Sequence, residues 1–179
     1  MRKSVILILL AAACLTACSP ADRPADRPEK QPLPAETVYK GVQCAPAGGG
    51  AKAAETPQAL WIPDAAALKA LENRTAKRRI NSGLPEPLAD FDFSAHGLLF
   101  VYMGRKPTSG YSLALVPEKT FIRGQAALVT LKWQSPAPDA ITAQVITHPC
   151  LFIRLPKENF TKIRVLDRQG RVKAVTGEP

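Results

Sequence analysis

The sequence predicts an α+β fold dominated by β-structure, in which an antiparallel sheet or partly closed barrel is covered by one main helix. Residues 98–103 form an unbroken apolar run of strand length, which indicates a central strand buried on both faces. Residues 111–115 and 129–133 alternate apolar and polar side chains, as half-buried strands do. One segment, residues 65–76, carries apolar side chains at helical spacing. A sheet with one helix packed on it accounts for all three observations.

The predicted helix has a recognisable start. Asp64 follows Pro63 and is a good N-cap, because its carboxylate can accept a hydrogen bond from a free backbone N–H group of the first turn. Leu68 and Leu71 then lie on one helical face, which should pack on the sheet.

Further strands are expected on both sides of the central run. They are residues 38–44, 144–147, 151–155, 163–166 and 172–175. The last two should form a hairpin around a turn at residues 167–170, since Asp and Gly favour such turns.

The N-terminus carries the clearest functional signal. Arg2 and Lys3 precede an apolar stretch, and the stretch ends in Leu15-Thr16-Ala17-Cys18, which resembles the lipobox of a bacterial lipoprotein. This pattern predicts a signal peptide over residues 1–17 and acylation of Cys18. A plain signal peptide with an incidental cysteine and an uncleaved anchor helix are the alternatives. The predicted location is lipid-anchored in the cell envelope, in the outer membrane because Ser19 replaces the aspartate of an inner-membrane retention signal.

The next residues predict a spacer. Residues 18–36 contain five prolines and a tandem Ala-Asp-Arg-Pro repeat, and such a composition cannot bury enough apolar surface to fold. Residues 37–179 are then expected to form a single globular domain. The formal charge of +9 becomes +7 without Arg2 and Lys3. In an exported chain this charge does not indicate nucleic acid as a partner, but it permits attraction to anionic lipid or acidic glycans.

Two cysteines remain for the domain. Because Cys14 leaves with the signal peptide and Cys18 is acylated, Cys44 and Cys150 form an isolated pair in an oxidising compartment. A disulfide between them is favoured over a metal site that would add His96 and His148, since no two of these ligands show zinc-site spacing. No metal or other cofactor is therefore expected.

The connection between the two best strands carries a family motif. It reads Gly104-Arg105-Lys106-Pro107-Thr108-Ser109-Gly110-Tyr111. Together with Phe91-Asp92-Phe93-Ser94, Pro136 and Thr147-x-Pro149, it resembles the C-terminal domain of the PrcB family, named after a lipoprotein subunit of a surface protease complex. The resemblance covers residues 91–155 and implies an anchored accessory subunit without catalysis of its own. Residues 106–111 are also similar to the Asn-Pro-Thr-Thr-Gly-Tyr loop of chagasin-type protease inhibitors, although the other two inhibitory loops are absent.

Residues 105–111 are therefore the candidate partner-binding loop, expected as the tip of a hairpin. Pro107 stiffens the loop and Gly110 permits a positive φ, so little conformational entropy would be lost on binding. The alternative is that these residues merely build a tight connection and that Tyr111 packs in the core.

Enzymatic activity is not expected. Gly110-Tyr111-Ser112-Leu113-Ala114 imitates a nucleophile elbow, but it enters a predicted strand and does not open a helix. Two function classes remain open. One is an envelope lipoprotein that binds another protein, with a protease as the candidate partner, and the other is a structural envelope lipoprotein that binds glycan or lipid.

Overall fold

The computed structural model describes residues 29–47, 54–76, 85–158 and 160–176. The strands of this part of the chain are β1 Lys30–Pro32, β2 Glu36–Gly41, β3 Gln58–Ile62, β4 His96–Tyr102, β5 Ser112–Leu115, β6 Phe121–Arg123, β7 Ala126–Gln134, β8 Cys150–Pro156, β9 Lys162–Leu166 and β10 Val172–Thr176. The helices are α1 Ala65–Ala76, α2 Glu86–Ala89 and a 3₁₀ turn at Pro117–Lys119. None of the helices in the described ranges has the length and apolar character needed to cross a bilayer.

The strands form two sheets. The four-stranded sheet has the order β2-β8-β4-β3 and is antiparallel throughout. The six-stranded sheet has the order β1-β6-β7-β9-β10, and β5 also pairs with β7. Within it β7 and β9 run parallel, whereas the other pairs are antiparallel. The predicted β-dominated α+β class is confirmed, with two sheets in place of one and without closure into a barrel.

The central strand β4 lies between two hydrophobic cores. Leu99, Val101 and Met103 point into a core between the two sheets, which includes Val129, Ile153 and Val165. Leu98, Phe100 and Tyr102 point to the other side, into a second core beneath α1. The apolar run is unbroken because β4 is buried on both faces, as the sequence predicts.

Helix α1 begins and packs as expected. The backbone N–H of Ala67 donates to Asp64 Oδ1 at 2.7 Å, which confirms the N-cap. Leu68 and Leu71 are buried against the four-stranded sheet. The solvent side carries an ion pair between Lys69 Nζ and Glu72 Oε2 at 2.8 Å.

The boundary between spacer and domain is wrong in the sequence prediction. The spacer was expected to reach residue 36, but β1 pairs with β6, Leu33 is buried and β2 starts at Glu36. Proline is compatible with this location because β1 is an edge strand, where the N–H that Pro32 lacks is not needed by a second neighbour. Long-range pairing overrides a local composition that is typical of linkers.

Two further strand predictions have different outcomes. Residues 144–147 do not form a strand, and their ladder contact is a single bridge between Thr147 and Lys106. The hairpin of β9 and β10 is confirmed. Its turn is held by Asp167, whose Oδ1 accepts hydrogen bonds from the backbone N–H groups of Gln169 and Arg171 at 3.0 and 2.9 Å.

Candidate functional site

The motif loop, residues 104–110, links the two sheets. It leaves β4 in the four-stranded sheet and enters β5, which pairs with β7 in the six-stranded sheet. The expected hairpin is therefore wrong, because β4 and β5 are not paired with each other. Proline and glycine indicate a change of chain direction, but they do not determine which strands become neighbours.

The motif loop is bonded along its length to the return segment, residues 135–149, which leads from β7 to β8. Backbone hydrogen bonds join Lys106 N to Thr147 O at 2.8 Å, Thr147 N to Lys106 O at 2.9 Å and Ser109 N to Ala143 O at 3.1 Å. Side chains add two more: Ala143 N donates to Ser109 Oγ at 3.0 Å, and Thr147 Oγ1 donates to Thr108 O at 3.0 Å. The two segments thus form one preorganised surface in place of a free tip.

Two glycines of the motif are required by close packing. Gly104 has φ +88°, and a Cβ atom there would lie 2.5 Å from the carbonyl oxygen of Glu55. Gly110 has φ +91°, and a Cβ atom there would lie 3.0 Å from Pro136 Cβ. Any other residue would be strained in the left-handed region and would also displace a neighbour. These two glycines therefore build a tight connection, as the alternative interpretation of the loop predicts.

The return segment exposes large apolar side chains. Ile141 is fully exposed, and Val145 and Ile146 are each 45% exposed. Val42 is also exposed. It lies beside the return segment, because its carbonyl oxygen accepts a hydrogen bond from His148 N at 2.8 Å. These four residues, which we call the apolar group, are four of the six large apolar side chains exposed in the described ranges. Apolar side chains concentrated on one part of a surface are typical of interaction sites, whereas scattered single residues are not.

Basic side chains lie next to the apolar group. Arg105 Nη1 is 3.3 Å from Glu55 Oε1, and both side chains are about half exposed. Lys106 Nζ lies 5.7 Å from the centre of the Tyr111 ring, a cation–π contact. Burial, followed by repulsion from Lys173, holds the pKa of Lys106 below its ordinary value, although Glu55 acts in the opposite direction.

Below this surface lies a buried polar contact. The Tyr102 hydroxyl donates to Ala54 O at 3.0 Å and lies 2.7 Å from His148 Nδ1. The hydroxyl has a single proton, so when it donates to Ala54 O, His148 Nδ1 is the donor in the contact with the tyrosine oxygen. The neighbouring Cys44–Cys150 disulfide, with Cα atoms 6.0 Å apart, joins the chain after β2 to the start of β8 and confirms the predicted pairing.

We expect His148 to make the stability of the protein weakly sensitive to acid. Burial, and then the charge of Arg105, lowers its pKa. At a pH just below the ordinary histidine pKa, the unfolded state therefore binds more protons than the folded state. The contribution of His148 to the free energy of unfolding is complete above about pH 6.5 and decreases as the pH falls through the lowered pKa. Between about pH 7 and pH 5, the melting temperature of the wild type should fall more steeply than that of His148→Gln. Equal slopes for the two proteins would contradict this role for His148.

The structure places the other predicted site residues as follows. Cys18 lies outside the described residues. Arg105 and Pro107 are exposed, while Lys106, Thr108, Ser109 and Tyr111 are partly buried. Within the described ranges, no three His, Cys, Asp or Glu side chains cluster closely enough to hold a metal ion.

The sequence analysis missed the apolar group. Residues 144–147 look like a strand because valine, isoleucine and threonine follow one another there. Two adjacent apolar residues, Val145 and Ile146, break the alternation of apolar and polar side chains that a half-buried strand requires. That break, after a segment rich in proline and alanine, was the available signal for an irregular, exposed segment.

Comparison with known proteins identifies one family. Residues 98–156 match the family model described as PrcB C-terminal. No curated protein and no solved structure matches the chain. The matched region runs from β4 to β8 and contains both the motif loop and the return segment. The resemblance expected from the sequence is thus confirmed, since residues 98–156 of this chain match the model of the PrcB C-terminal family.

Proposed function

We propose that this protein is a non-catalytic, lipid-anchored accessory module of the bacterial envelope that binds another protein, with an envelope protease or its complex as the partner. The observation that carries the proposal is that hydrogen bonds join the motif loop to the return segment, which exposes most of the apolar group. Both segments lie in the family-matched region, and Val42 lies next to it. The family supports a protease-associated role, and the lipobox-like residues before Cys18 support the anchor and the outer-membrane location.

The chemistry of the surface favours a protein partner over a glycan. Protein interfaces combine a desolvated apolar centre with a polar rim, and arginine is enriched in them. Ile141, Val145 and Ile146 supply apolar area, and Arg105 supplies charge at its side. Because hydrogen bonds already fix the motif loop, binding would cost less ordering entropy than binding by a free loop.

The polar groups of this surface are committed to structural contacts, which supports a binding role without catalysis. Thr147 Oγ1 donates to Thr108 O, and Ser109 Oγ accepts from Ala143 N. His148 Nδ1 is engaged with Tyr102. Each of these side chains positions backbone or a ring, and this use competes with service as a nucleophile or base.

A matched pair of variants tests the proposal. The triple substitution Ile141→Ser, Val145→Ser and Ile146→Ser should weaken partner binding by at least about tenfold, or about 1.4 kcal/mol, because apolar contact area is lost. Stability should change little, since the three side chains are exposed. Binding is measured by titrating the partner that co-purifies stoichiometrically from detergent-solubilised envelopes.

The control is Val172→Ser with Val175→Ser, two similarly exposed valines on β10. This pair should bind the partner like the wild type. Equal affinity of the triple variant and the wild type would refute the binding role of the apolar group. Recovery of the wild type with peptidoglycan or lipid alone, without a stoichiometric protein, would favour the structural lipoprotein instead.

A further inference from the structure

The six-stranded sheet has one face in the core and one face that is at least partly exposed along its described strands, except at Thr130, which is buried beneath the 3₁₀ turn and donates to Lys119 O at 2.7 Å. Ile122, Val129 and Val165 are buried on the inner face. Alternation along the strands therefore turns their neighbours outward. We call the outward side of β1, β6, β7 and β9 the open face.

Basic side chains form a row across the open face. Lys30 on β1 is opposite Arg123 on β6, Arg123 is opposite Ala126 on β7, and Ala126 is opposite Lys162 on β9. In the next row Arg164 follows on β9, opposite Leu128. Neighbouring strands are about 4.8 Å apart, so these charges lie within a few strand spacings of one another. None of the outward positions on these four strands is an Asp or Glu in the described chain.

Apolar side chains lie between the charges. Phe121 is contacted from two sides, by Lys30 Nζ at 4.9 Å and by Arg123 Cζ at 5.6 Å from the ring centre. Arg123 Nε is shielded from solvent and has no hydrogen-bond partner in the described part of the chain. Two depressions, of about 820 and 630 Å³, open on both sides of Phe121 and Leu166. The open face thus combines cations, partly exposed apolar groups and space for a ligand.

We propose that the open face docks on an anionic phospholipid surface. The cations of the basic row would contact lipid phosphates, each residue near such a surface contributing about 1 kcal/mol. Phe121 and Leu128 would lie at the level of the headgroups, where apolar side chains add to binding. Charge complementarity selects the anionic surface, since the outward positions of the four strands include cations and no carboxylate, and the acidic residues Glu118 and Asp167 of the larger depression lie outside these strands.

The described part of the chain begins at this same face. Residues 18–29 precede β1, and an extended chain of that length spans at most about 40 Å. β1 is the strand that brings Lys30 to the open face. If Cys18 is the anchor, as proposed above, the position of β1 next to it in sequence places the open face within reach of the membrane. The docking inference rests partly on that proposal, so its test uses a chain without acyl groups.

Docking on lipid leaves the partner surface accessible. The basic row crosses β7 at Ala126, where that strand begins, whereas the return segment starts after Gln134, where it ends. The return segment, which carries three of the four residues of the apolar group, therefore begins at the other end of β7 from the basic row. Both surfaces can be occupied at the same time.

The experiment measures vesicle binding by the mature chain, residues 18–179 with Cys18→Ser, which retains every described residue. Vesicles of phosphatidylcholine alone are compared with vesicles that also contain phosphatidylglycerol. We expect at least about tenfold stronger partitioning to the anionic vesicles, and loss of this preference at about 0.5 M salt, where surface charges are screened. The double substitution Arg123→Gln and Arg164→Gln should reduce partitioning by about thirtyfold, since it removes two cations from the open face.

The matched control is Lys40→Gln with Lys69→Gln, which removes the same charge from β2 and α1. This pair should bind anionic vesicles within about twofold of the wild type. Equal binding to both kinds of vesicle, or an equal loss in the two double variants, would overturn the inference. So would binding to an acidic polypeptide such as polyglutamate without binding to vesicles. Because no acyl chain is present, none of these results depends on whether Cys18 is lipidated.

Discussion

Replacing Cys44 and Cys150 with alanine is expected to lower the free energy of unfolding by about 4 to 5 kcal/mol, a large part of the roughly 5 to 15 kcal/mol that is typical of a domain. The bond links residues 106 positions apart, so its removal releases a long loop in the unfolded chain. It also joins the chain after β2 to the start of β8. Denaturant unfolding of the oxidised wild type and the double variant measures the loss.

The single variants provide the control. Cys44→Ala and Cys150→Ala each break the same covalent link, so each should lose nearly as much stability as the double variant. Wild-type protein treated with a reducing agent should move toward the same midpoint. Two free thiols in protein isolated from the envelope, or an unchanged denaturation midpoint in the double variant, would show that the bond does not stabilise the protein as expected.

The Cys18→Ala substitution is expected to abolish membrane attachment through lipid. Acyl chains bind membranes with about 0.8 kcal/mol per buried methylene group, and a stable anchor needs more than one chain. Without the Cys18 thiol no chain can be added, so the protein should remain an unprocessed precursor or leave the detergent phase. Phase partitioning and the mass of the N-terminal peptide measure both outcomes.

Cys14→Ala is the matched control, because it removes a cysteine four residues earlier without touching the lipobox-like site. This variant should be processed and partition like the wild type. Normal processing and unchanged detergent partitioning of Cys18→Ala would refute the anchor. That result would remove the tether argument for docking of the open face, but it would leave the vesicle measurement valid, since that measurement uses a chain without lipid.

The sequence alone determined the features that depend on local patterns. The N-cap at Asp64 and the spacing of Leu68 and Leu71 predict α1 because a helix presents every third or fourth residue on one side. The run at residues 98–103 predicts a strand buried on both faces, and Asp167 with Gly170 predicts the β9–β10 turn. The disulfide followed from chemistry, since compartment and cysteine count left one pair.

Only the tertiary structure decided which segments became neighbours. The composition of residues 30–36 predicts a linker. In the structure, however, β1 pairs with β6 and Leu33 fills a core position. The sequence of the motif loop predicts a hairpin tip. In the structure, however, β4 pairs with β8 in one sheet and β5 pairs with β7 in the other.

The same holds for the candidate site. The apolar group assembles from Val42 and residues 141–146, which are about a hundred positions apart in sequence, through the hydrogen bonds of Gln43 with Ile146 O and of His148 with Val42 O. Strand partners and surface neighbours depend on contacts between distant residues, whose loop-closure entropy and packing energy are not encoded in any local window. Local periodicity therefore determined the elements of this protein, and long-range pairing decided its sheets and its binding surfaces.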